Sequence, residues 1–110
     1  MTPEEAVVVL VTAGDADEAA RLGRALVEER LAACVNVVGP IRSIYRWQGA
    51  VEDASEHLLI VKARAADVAA LEARVRALHS YEVPEVLALP VRAGSAAYLA
   101  LLADATGRGT

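Results

Sequence analysis

Residues 6–13 read AVVVLVTA, apolar at nearly every position and rich in β-branched side chains. A strand with one solvated face alternates, so this uninterrupted run predicts a strand with apolar surface on both faces. Gly14-Asp15 ends it, and Asp15 followed by Glu18 forms a capping-box pattern for a helix to about Arg30, with Ala19, Leu22 and Leu26 on one stripe. A second apolar run at residues 32–38 predicts another strand, and beyond Gly39-Pro40 the segment IRSIYRW continues extended to Trp47. Gln48-Gly49 turns the chain. Residues 51–63 begin polar (VEDASE) and end apolar (HLLIV), so a long hairpin arm is expected whose tip stands away from the core.

Asp67 is the expected N-cap of a second helix in which Val68, Leu71, Val75 and Leu78 recur at three- and four-residue intervals while Glu72 and Arg76 pair outside. Residues 86–92 supply a fourth strand, where Pro90 demands an edge or a bulge. Ser95 then caps a last helix carrying Tyr98, Leu101 and Leu102 and ended by Gly107, and residues 107–110 are expected to fray. The order β-α-β-β-α-β plus a helix predicts an α+β, ferredoxin-like sandwich with an extra C-terminal helix and a long arm between its second and third strands. One domain over residues 1–110 is expected, with its core at about residues 6–106. Both main helices of such a fold cover one sheet face, yet the strands are apolar on both. The last helix can cover part of the second face, and a neighbouring subunit gripped by Tyr45 and Trp47 of the arm is the simplest cover for the rest.

Composition narrows the picture. Hydrophobic residues make up 55% of the chain but Phe is absent, so Val, Leu, Ile and Ala must fill the core. A net charge of −4 with Lys62 as the single lysine argues against nucleic acid or an anionic membrane surface as partner. The start MTPEE is unlike a secretory signal, and the longest apolar run falls far short of the roughly 18 residues of a membrane span. Cys34 is alone and cannot form an intrachain disulfide, which makes a reducing cytoplasm the expected setting.

The densest candidate chemistry is LHSYEVPE, residues 78–85, which joins an imidazole, a phenol and two carboxylates between a helix end and a strand. The plainer alternative is that His79 complements the helix C-terminal dipole, Tyr81 packs and Pro84 enforces the helix exit. Cys34, beside Asn36 on one strand face, reads as core filler or as a cleft residue. Lys62 reads as a strand lysine that discourages edge pairing, and His57 as a solvated rim residue. One cysteine and two histidines cannot build a Cys- or His-rich structural zinc site in a single chain, and no Gly-rich phosphate loop is present.

Four blocks, VTAGDADEA at 11–19, ERLAACVNVVGPIRSIYRWQG at 29–49, LIVKAR at 59–64 and HSYEVPEVLALPV at 79–91, together with the closing GSAAYL, resemble the CutA proteins, named for tolerance to divalent cations. The resemblance implies a non-enzymatic homotrimer with arms laid across neighbours. It also implies an inter-subunit cleft lined by Cys34, Asn36, Lys62, His79, Tyr81, Pro84 and Glu85, taking copper, another divalent cation or a small molecule. Val11 stands where the metal-binding pattern has a cysteine and Leu78 where it has the first of two histidines, so His79 alone remains of that ligand set and would hold a metal weakly. Ser80 replaces the proline usual before the tyrosine. The alternative is a trimeric signalling module like the PII proteins, sensing a nucleotide or metabolite. An RNA-recognition motif would need aromatics on its central strands, and an acylphosphatase a phosphate loop where this chain has acids.

Overall fold

The β-branched run at the start does form a strand, and it lies inside the sheet. The computed structural model describes residues 1–107. Its elements are β1 (Ala6–Ala13), α1 (Ala16–Glu28), β2 (Cys34–Trp47), β3 (Ala50–Arg64), α2 (Val68–Leu78), β4 (Leu87–Pro90) and α3 (Ala96–Ala105). The sheet is antiparallel in the order β2-β3-β1-β4, which is ferredoxin-like. As Pro90 demanded, β4 is an edge strand.

Strand parity divides the sheet into two apolar faces. Val7, Val9, Val11 and Ala13 of β1 and Leu59, Val61 and Ala63 of β3 are buried against Leu22 and Leu26 of α1 and Leu71 and Val75 of α2. Gly23 allows this close approach, since a Cβ there would sit 3.1 Å from Val35 Cγ1. Residues of opposite parity, Val8 and Leu10, Leu58 and Ile60, Leu87 and Leu89, line the other face. At one end α3 covers it through Leu99 and Leu102 packed on Ala6, while Leu87 and Leu89 stay 57% and 47% exposed. The expected open apolar face is therefore present in the single chain.

Beyond that face β2 and β3 run on as the arm, turning at Gln48 and Gly49, which both have positive φ as a tight two-residue hairpin turn requires. Between Val38 and Ile41 β2 carries one residue more than β3, a bulge at Gly39-Pro40. Before it the even residues Cys34, Asn36 and Val38 share a face with Leu58 and Ile60. After it the odd residues Ile41, Ser43, Tyr45 and Trp47 do, because Ile41 lies opposite Glu56. The bulge thus re-phases the arm.

Several expectations are corrected. His57 is not a solvated rim residue: its ring lies against Gly39, leaving no room there for a Cβ, and its Nδ1 is buried. Asp67 sits at the N-cap of α2 but makes no capping bond, because the Arg64 guanidinium takes its carboxylate at 2.9 and 3.1 Å. The stripe of α2 fades at Leu78, which is exposed, and α3 buries Leu99 and Leu102 while Leu101 faces outward and Tyr98, partly exposed, sets its hydroxyl beside Cys34. Gly107 is not frayed. It is buried, and Arg30, in the left-handed region at φ 61°, donates from Nε to its carbonyl (2.8 Å) and from Nη2 to that of Asp104 (2.6 Å). The rest of the expected frayed tail, residues 108–110, lies outside the described residues.

Candidate functional site

Helix α2 ends at His79, whose backbone turns extended while its N–H still bonds the Val75 carbonyl. The side chain is fully buried, and both ring nitrogens have partners within the chain. Nδ1 accepts from the Tyr81 N–H at 3.0 Å, so the ring proton is on Nε2, which donates to the Thr12 carbonyl at 2.7 Å. With both nitrogens engaged, His79 has no lone pair to give a metal ion. The donor set expected for copper does not fit within one chain, since Val11 lies in the core and Leu78 is an exposed hydrocarbon. Through these bonds His79 links the end of α2 to β1.

Glu18 fixes the next residue. Its carboxylate accepts from the Ser80 N–H (2.7 Å), the Ser80 hydroxyl (2.9 Å) and the Gly14 N–H (3.4 Å), while its own N–H bonds the Asp15 cap. Burial pushes the Glu18 carboxyl up, but these donors outweigh it and the group ends below its ordinary value of 4.5. Its stabilising effect is therefore present above that value and lost as pH falls through the depressed one. We expect Glu18→Gln to be less stable than the parent near neutrality and the gap to close as the pH is taken below 4.5. Urea unfolding at a series of pH values checks this, and a gap independent of pH would refute the role of the ionised carboxylate.

Held by His79 and Glu18, the loop places Tyr81 so that its hydroxyl donates to Glu56 Oε2 at 2.7 Å. Its ring centroid lies 4.6 Å from that of His79. Burial, followed by the hydrogen bond to Glu56 and that residue's charge, raises the Tyr81 phenol, which stays protonated through the physiological range. Tyr81 and Glu56 line a cavity of about 630 Å³ between this loop and the arm. Its aromatic walls are Tyr45, Trp47 and Tyr81, and its acids are Glu56, Glu82 and Glu85. Among the described residues no lysine or arginine lines it. Glu85 is pushed up by burial and then by the charge of Glu56, as expected of carboxylates facing one another without a cation.

The expected cleft residues fall into two groups. His79, Tyr81, Pro84 and Glu85 lie in or beside the loop at this cavity, and Tyr45 and Trp47 of the arm join them. Cys34, Asn36 and Lys62 form a separate cluster further along the sheet. Cys34 pairs with Lys62 in register, and Asn36 Oδ1 accepts from both the Lys62 ammonium and the Cys34 thiol. Sequence reasoning missed Glu56 and saw Glu18 only as a cap. Parity was the available signal for Glu56, which shares the face of Leu58 and Ile60 and is 7% exposed.

The family model described as CutA1 divalent ion tolerance protein matches residues 7–105. A divalent-cation tolerance protein CutA of Thermus thermophilus is 50% identical over 91% of this chain and 97% of its own length. The chloroplastic CutA of Arabidopsis thaliana is 45% identical over 91% of the chain, which spans 55% of that protein. A solved structure of the Thermus thermophilus divalent cation tolerance protein superposes with a TM-score of 0.90 at 49% identity, covering 93% of this chain and 99% of that one.

Proposed function

This chain belongs to the CutA1 divalent ion tolerance protein family, and from that premise we propose that it works without catalysis as a homotrimer whose acid-lined cavities take up cations. The observation that carries the assembly is the sheet face opposite α1 and α2, where Leu58, Ile60, Leu87 and Leu89 form a contiguous apolar surface beside a protruding arm. Such a surface is unusual on a monomer, and copies of the same chain can bury it while the arms bridge them. Three copies is the number the family resemblance implies.

The non-catalytic reading is supported by the partners of two nucleophilic groups: Cys34 lies with Asn36 and Lys62, and the Ser80 hydroxyl donates to Glu18. Neither is hydrogen-bonded to a histidine base. The cation reading does not run through His79. It rests on the three carboxylates and on the absence of any basic residue among the described residues that line the cavity, a field that attracts cations and repels phosphate. That counts against the nucleotide-sensing alternative. The single Cys34 suits a reducing compartment, and the cytoplasm is the proposed one. No helix among the described residues is long and apolar enough to cross a membrane.

Multi-angle light scattering of the purified protein tests the assembly. The expected mass is three times that of the 11.5 kDa chain. A mass of one chain at micromolar concentration would refute it.

A further inference from the structure

Three features of the cavity between the arm and the loop after α2 bear on which cation it takes. The first is size. About 630 Å³ is far more than a bare ion fills, and lies within the range of small-molecule sites. The second is donor placement. Glu56, Glu82 and Glu85 all line the cavity, yet among the described residues no three His, Cys, Asp or Glu gather closely enough to hold a metal ion. Carboxylates spread around a cavity wall suit a cation whose charges are spread along a chain. The third is Glu56 itself. It is 7% exposed, and the Tyr81 hydroxyl is its one hydrogen-bond partner among the described residues. A carboxylate can accept about four hydrogen bonds, so Glu56, holding a single neutral donor and facing the cavity, has acceptor sites left for a ligand's N–H groups.

The aromatic walls add a preference of their own. An ammonium group held over the faces of Tyr45, Trp47 or Tyr81 is attracted by the ring quadrupole, and a methylene chain packs against the same rings and against Ile44 and Val83. A hydrated magnesium or calcium ion gains nothing from those surfaces.

We propose that this cavity binds a linear aliphatic polyamine, with one ammonium at Glu56, another at Glu85 or Glu82, and the connecting methylenes along Tyr45 and Trp47. The proposal deepens the cation-binding reading above and rests on it.

Trp47 is the only tryptophan and lines the cavity, so its emission reports occupancy directly. Spermidine titrated into the full-length protein should change the Trp47 emission to saturation. Magnesium chloride at matched ionic strength should give no saturable change. Glu85→Gln, at an exposed position that leaves the Tyr81–Glu56 bond in place, and Glu56→Gln should each weaken spermidine binding by about tenfold or more. Circular dichroism confirms that each variant is folded, and if Glu56→Gln is not, Glu85→Gln alone decides. A non-saturating response, equal affinity in parent and Glu85→Gln, or an equal response to magnesium would overturn the proposal. Light scattering on the same samples separates the failures: a one-chain mass with intact, Glu85-dependent spermidine binding refutes the assembly and keeps the site.

Discussion

Ile60→Asp should reduce the proposed trimer to single folded chains. Ile60 lies opposite Leu10 on β1 and Asn36 on β2, at the centre of the open face. It is only half-buried in the single chain, so an aspartate there can reach water when the chain is alone. Within an interface between copies the same carboxylate would be desolvated beside one ammonium, that of Lys62, which Asn36 already holds, at a cost of several kcal/mol per buried charge that this shared cation offsets only in part, repeated in every copy. Light scattering should show the mass fall from three chains to one while the far-ultraviolet circular dichroism keeps its shape. An unchanged mass would mean that this face is not where copies meet.

One residue earlier, the opposite kind of loss is expected. Leu59 is fully buried on the helix-facing side of β3, and Leu59→Ala should cost about 2–5 kcal/mol of folding stability, through lost burial and the cavity left behind. Urea unfolding should be compared with the parent at one fixed chain concentration, because assembly couples stability to concentration. A change within about 0.5 kcal/mol would place Leu59 outside the core, contrary to its contacts. The two variants separate face from face because neighbouring strand residues point to opposite sides of a sheet.

The strands and helices were legible because their apolar periods are long and their breaks are marked by Gly14, Gln48-Gly49 and Pro84. So was the second apolar face of the sheet, since residues 6–11 have no polar member. The site was legible only in part. Which side of the arm Tyr45 and Trp47 occupy depends on one extra residue at Gly39-Pro40, and an alternation pattern does not say where a bulge falls. The separation of Cys34, Asn36 and Lys62 from Tyr81 and Glu85 is set by strand register, which pairs Cys34 with Lys62 and leaves Glu56 six residues back toward the arm. Glu18 and Asp67 looked alike as cap residues. Tertiary partners part them: Ser80 draws the Glu18 side chain across to the loop, and Arg64 draws Asp67 off its helix.

The strand order also governs how the chain can reach its native state. Strand β1 is the first in sequence, yet Ala6 pairs with Arg64 on one side and Val7 with Pro90 on the other. Closing loops of that length must precede the contacts that reward them, so folding should be slower than in helical proteins of similar size, whose contacts are mostly local. Until β3 and then β4 have arrived, the most apolar strand of the protein has an unpaired edge, and a chain interrupted before residue 87 presents that edge to other chains.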